Sequence, residues 1–258
     1  MKADWTPLDT ELRHWAGAGL TLPLWWRDDD AVAATAALDQ LAVVSERAGV
    51  PVHLAVVPAG AGADLADWLV AHDTFIPMVH GWAHINHAPE GEKKAEFGAH
   101  RPLPERLDDA RRGRAVLTVL LGRAPAPVFV PPWNRIAPDM AAGLSELGYA
   151  ALSTFGPRDH AGAAPGLARI NTHLDLIDWR GTRSLVDPQT LIARITRHLA
   201  DRRTGSADNG EPYGILTHHL VHDAAIWSFL TTLLTRLTAG PIALWTADAL
   251  PTKTRQKS

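Results

Sequence analysis

Residues 24–32 read LWWRDDDAV. An apolar run rich in strand-forming residues ends in three consecutive aspartates, where neighbouring carboxylates repel one another. Strand ends of this kind recur along the chain. FIPMVH ends at His80, and VFV runs into Pro131-Pro132-Trp133-Asn134. HLDLIDW ends at Asp178-Trp179, and YGILTHH at His218-His219. Apolar runs bounded by Gly or Pro place strands near 22–28, 51–57, 74–79, 127–130, 149–153, 173–178, 213–217 and 241–245. Helical patterns place helices at 31–48, 62–71, 105–121, 138–147, 188–203 and 223–238, the fifth with Asp187 as cap and Pro188 in its first turn. This alternation predicts a parallel sheet built from βα units: an α/β protein with a distorted (β/α) barrel of seven or eight strands. An open doubly wound sheet is the alternative. Segments 85–104 and 155–168 show no regular pattern, and 204–212 reads as a surface loop.

Composition narrows the function classes. The chain has 258 residues, 46% hydrophobic and 21% charged, an ordinary globular balance. We expect a single catalytic domain over 1–258, with the barrel core at about 22–245 and short terminal extensions. A net charge of −3 without a basic block disfavours nucleic acid as a partner. The absence of cysteine excludes disulfides, thiolate metal sites and a cysteine nucleophile. The first 19 residues lack a signal peptide's apolar stretch. The apolar region 224–245 is interrupted by Arg236, Gly240 and Pro241, so it reads as a helix followed by a strand rather than a membrane span. These readings predict a cytoplasmic protein with no membrane partner; oligomeric state is not encoded legibly.

In a barrel the C-terminal strand ends line one face, and catalytic groups gather there. His80 and His84 are four residues apart, a spacing that lets both rings share one metal ion. Two imidazoles and a carboxylate from the aspartate run leave positions open on a divalent ion, as catalysis by bound water requires. His14, His53, His72, His100, His160 and His198 fall in no such pattern.

The order RDDD, HGWAHINH, FVPPWN, DLIDW and LTHHLVHD resembles the polysaccharide deacetylases, the NodB-homology group also called carbohydrate esterase family 4, over about residues 22–245. The resemblance implies a metal-dependent amidohydrolase. In that family the first of two adjacent aspartates is the general base and the second a metal ligand. Because a small residue follows the pair, Asp29 is the expected base and Asp30 the ligand beside His80 and His84. The register one residue earlier, Asp28 and Asp29, remains open. Leu216-Thr217-His218 matches the position of the general acid, His218. Asp178 is a candidate to orient a catalytic side chain or raise the pKa of His218. His87, His219 and His222 have no counterpart. The family's third motif opens with an arginine that holds the base; Val130 stands there, and Arg27 or Arg135 could substitute. Asn134 stands where that motif ends in glycine. Asp28 should point away from Asp29 and find a local partner, Arg27 among the candidates.

Trp82, Trp133 and Trp179 lie in motif segments, and indole faces stack on sugar rings. With Asn134 they form the expected substrate-binding set, whereas Trp25, Trp26, Trp227 and Trp245 read as core. The expected cofactor is one divalent ion, Zn2+ first, with Co2+, Mn2+, Fe2+ or Ni2+ as alternatives. The expected substrate is an oligosaccharide or small molecule bearing an acylated amine. A catalytically silent carbohydrate-binding module on the same barrel, or another metal-dependent C–N hydrolase, would carry the same motifs.

Overall fold

The computed structural model describes residues 3–250. Its centre is β1 (Leu22–Ala31), the long strand that carries the aspartates. Parallel to it on one side run β2 (Val52–Val56), β3 (Phe75–His80), β4 (Val128–Val130) and β5 (Ala151–Leu152). β6 (Gly162–Ala164) and β7 (Leu167–Arg169) form an antiparallel hairpin, with β7 parallel to β5. On the other side β8 (Leu174–Asp175) pairs with β9 (Tyr213–Thr217), and β9 pairs with residues 24–28 of β1. β10 (Ile242–Leu244) pairs with the first residues of β1. Residues 167–175 link the two edges. Ile170 N–H donates to Leu152, Thr172 N–H to Thr154 and His173 N–H to Gly214, so the hydrogen bonds run around a closed, irregular ring. The barrel predicted from the strand–helix rhythm is therefore present, and the open doubly wound alternative is not.

Helices α1 (Thr6–Gly17), α2 (Ala36–Ala48), α3 (Ala63–Ala71), α4 (Leu103–Leu121), α5 (Met140–Glu146), α6 (Pro188–Arg203) and α7 (Ala224–Thr238) complete the fold. None is long and apolar enough to cross a membrane. Alternation along β1 assigns its side chains to two faces. Leu22, Leu24 and Trp26 join the large core shared with the helices. Trp25 belongs to a second cluster with Ala55, Met78, Val128, Val130 and Ala151 inside the ring.

Three expectations need correction. Helix α2 begins at Ala36 rather than 31, because β1 continues to Ala31 and Thr35 caps the helix by accepting from Leu38 N–H. Helix α1 was not anticipated, although Leu8, Leu12 and Trp15 follow a helical spacing and are buried; the Trp15 indole donates to Leu199 O of α6. The hairpin β6–β7 lies in the stretch expected to be irregular. Its three-residue strands carry no alternation, and only the Pro165-Gly166 turn marks it, Gly166 having φ 72°.

Candidate active site

The aspartates are separated by a β-bulge. Asp28 pairs with Leu54 and Ala31 with Val56, so three steps on β1 oppose two on β2. Asp28 lies fully buried and receives the hydroxyl of Thr217 at 2.6 Å, the backbone N–H of His219 at 3.0 Å and His219 Nδ1 at 2.5 Å. Its partner is thus His219, not Arg27. Burial alone would raise the Asp28 pKa, but the charge and hydrogen bond of His219 outweigh it and the pKa is lowered. The same pairing raises the pKa of His219 against burial.

Arg27, with no exposure, serves Asp29. Its Nε lies 2.9 Å from Asp29 Oδ1 and its Nη2 donates to Oδ2 at 3.0 Å. The guanidinium also donates to Asn134 Oδ1 at 2.6 Å and to Ser153 Oγ at 2.7 Å. Of the two arginines considered, Arg27 is therefore the one that reaches Asp29. Arg135 instead donates to Lys94 O. Trp133 and Asn134 both have positive φ, 55° and 57°. Asn tolerates this conformation better than most residues, which fits its place where a glycine was expected.

Asp30, at φ 75°, swings to the histidines. Its Oδ1 lies 3.0 Å from His80 Nε2 and 3.2 Å from His84 Nε2, and one ligand atom from each of the three residues falls within 4.8 Å of the others. This is the one such group of three or more among the described residues. His80 sits at the end of β3 and His84 in the turn after it, at φ 57°. Two of the three groups thus adopt a conformation that costs a non-glycine residue about 1–2 kcal/mol. His80 Nδ1 lies 3.0 Å from Val130 O, and a carbonyl can only accept, so Nδ1 carries the proton. Nε2 then turns a lone pair toward a carboxylate unless it too is protonated or a cation lies between them. Burial would lower the His80 pKa, yet the Asp30 hydrogen bond and the charges of Asp29 and Asp30 raise it. The Asp30 pKa is driven down by the two histidines against its burial. An imidazole oriented by a carbonyl and facing a carboxylate is the arrangement of a metal-ligating histidine, so the residues present fit a divalent ion.

His218 lies across the site, with Nε2 4.0 Å from Asp29 Oδ2. Trp179 packs edge-on against it at 4.8 Å. His218 Nδ1 is buried without a hydrogen-bond partner among the described residues. Asp175, whose pKa is raised by burial, an effect partly offset by the charge of His218, accepts from the Trp179 indole at 2.7 Å. Asp178 does not reach the cluster. Its carboxylate accepts from Gly181 and Thr182 N–H within its own turn. The cause is the strand boundary: β8 stops at Asp175, three residues before the expected end.

Of the four residues expected to bind substrate, Trp133 packs on His84 at 4.3 Å and Trp179 borders His218. Asn134 is engaged by Arg27. Trp82 turns away, its indole beneath the Arg112 guanidinium of α4. His222 accepts the His218 backbone N–H through Nε2. The sequence reading names Asp178 and does not consider Asp175, three residues earlier in the same stretch.

No family model and no curated protein matches the chain. Solved structures do. A family 4 carbohydrate esterase from Streptomyces lividans in complex with acetate aligns at TM-score 0.55 and 12% identity, over 89% of this chain and 96% of that one. A Mycobacterium smegmatis protein assigned as a polysaccharide deacetylase aligns at TM-score 0.62 and 17% identity, over 81% and 72%. A mutant of a family 4 pseudoenzyme with restored activity aligns at TM-score 0.56 and 12% identity, over 87% and 65%. The chain thus has the (β/α)-barrel fold of the family 4 polysaccharide deacetylases.

Proposed function

We propose that the protein is a metal-dependent N-deacetylase acting on an oligosaccharide or small molecule that carries an acylated amine. One observation carries the reading: Asp30, His80 and His84 converge at the strand ends while Asp29 and His218 face each other 4.0 Å apart beside them. Asp30, His80 and His84 would hold a divalent ion, with Zn2+ the first choice for this donor set, which when bound would acidify water and polarise a carbonyl. Asp29, fixed by Arg27, accepts the proton of the attacking water. His218 donates a proton to the departing amine, which is a poor leaving group as an anion. Amide and water thus become carboxylic acid and amine. Trp133 and Trp179 supply apolar walls on either side of this centre.

The test is a screen of N-acetylglucosamine, chitooligosaccharides and simple amides and esters, with chelator and after readdition of Zn2+ or Co2+. Metal-restored release of acetate from an amide supports the reading. Sugar binding without turnover under every metal condition would make the protein a silent binding module, and turnover confined to esters would move it to another reaction class.

A further inference from the structure

The turn that presents His84 belongs to no regular element, yet its backbone amides converge on a single side chain from the following loop. Glu96 is 1% exposed. Its Oε2 accepts from Trp82 N–H at 3.1 Å, and its Oε1 from Ala83 N–H at 2.8 Å and Ile85 N–H at 3.4 Å. These amides flank His84 on both sides. Gly81 makes the approach feasible: at φ 57° a Cβ there would lie 2.3 Å from Glu96 Oε2. Glu96 is itself held by its neighbours. His87 N–H donates to Ala95 O, Asn86 Oδ1 accepts from Ala95 N–H, and Phe97 is fully buried with its carbonyl accepting from Ala137 N–H. The inner limb of the 85–104 loop is thus a buried brace beneath the site.

We infer that Glu96 is a positioning residue of the metal centre, holding the 82–85 turn so that His84 Nε2 meets Asp30 and His80. The inference rests on reading Asp30, His80 and His84 as a divalent-metal site. The physical case is geometric. A carboxylate cupped by several amides of one turn fixes that turn as an anion fixes a backbone nest. His84 occupies a left-handed conformation that the surroundings must over-determine for it to persist. Supporting groups behind metal ligands typically change metal affinity by about 10–100-fold when removed.

The experiment titrates chelator-treated full-length protein with Zn2+ by calorimetry and with Co2+ by visible absorption, for wild type, Glu96→Gln and Glu96→Asp. Metal-free melting temperatures are recorded alongside. Glu96→Gln keeps the volume but replaces one acceptor by a donor facing an N–H. We expect Zn2+ affinity to fall by about 10–100-fold, with altered Co2+ absorption bands as His84 shifts. Glu96→Asp, which keeps the charge, should recover part of the affinity, and it carries the test if the glutamine variant does not fold. A lower metal-free melting temperature with unchanged Zn2+ affinity and Co2+ spectrum in both variants would show a brace of the fold only and overturn the inference. Failure of the wild type to bind either ion would instead overturn the metal centre itself.

Discussion

Arg27→Met tests whether the first motif supplies its own arginine. Arg27 and Asp29 have 0% and 2% exposure, and they touch through two contacts of 2.9 and 3.0 Å. Methionine matches the aliphatic stem but leaves Asp29 buried without its cation, and the Asn134 and Ser153 oxygens without their donor. Breaking a buried pair by removing one partner costs about 3–5 kcal/mol. At about 2–4 °C per kcal/mol for a chain of this size, the melting temperature should fall by about 6–20 °C. The measurements are thermal unfolding for the melting temperature and denaturant unfolding for the free energy, both in chelator so that a bound cation cannot stand in for the arginine. Asp29→Asn is the control, because it removes the charge that Arg27 balances. Added to Arg27→Met, it should return about 1–3 kcal/mol, within the usual range for coupled neighbours. If Arg27→Met cost under about 1 kcal/mol, or if the two substitutions were strictly additive, the guanidinium would not be the counter-charge of Asp29 and its assigned role would fail.

Protein purified without chelator should contain about one divalent ion per chain, and His80→Ala should abolish it; elemental analysis of both decides. Asp29→Asn and His218→Ala should each lower turnover by about 10²-fold or more with metal content retained, and loss of metal from Asp29→Asn would show the aspartate register displaced by one residue. Stability should also depend on pH through His53. Its Nδ1 donates to Trp26 O and its Nε2 accepts from Ala247 N–H, and burial pushes its pKa down to about 4. The neutral ring is favoured in the folded state, so its contribution is complete above pH 6.5 and declines as pH falls toward 4. The difference of about 2.5 pH units amounts to about 3 kcal/mol. Chemical unfolding at pH 7 and pH 4.5 should show His53→Gln less pH-dependent than wild type, and an equal slope would remove His53 as a cause.

The elements that could be read in advance are those whose pattern repeats. Strands β1 to β4 and β9 announce themselves by apolar runs, and α6 by Asp187 with Pro188, because burial and capping leave local marks. What could not be read depends on one residue more or less of strand. Because β8 ends at Asp175, Asp178 falls into a turn and does not reach His218. Because β1 bulges after Asp28, Asp29 and Asp30 both turn to the site, where strict alternation would send Asp28 and Asp30 to the same face. Arg27 lay within the quoted motif, but its pairing with a residue two positions on follows from both facing the ring interior. Periodicity shows that; it does not show that no other cation reaches Asp29.

The three adjacent carboxylates are tolerable because their counter-charges differ in kind. Asp29 faces the guanidinium of Arg27 on its own strand. Asp28 faces His219, and the lowered pKa of one with the raised pKa of the other makes the pair an ion pair sealed beneath the helices. Neither partner can be exchanged without opening the fold. Asp30 is different. Its partners are two imidazoles, its side chain is about one-third exposed, and His84 is similarly reachable from solvent. Any cation that balances Asp30 can therefore arrive from and return to solution, whereas those of Asp28 and Asp29 are part of the chain. With the His80 proton fixed on Nδ1 by the Val130 carbonyl, two such cations are open to the site: a second proton on an imidazole, or a metal ion that takes both Nε2 lone pairs and the carboxylate together. The proton satisfies one contact at a time. A metal ion would satisfy all three at once.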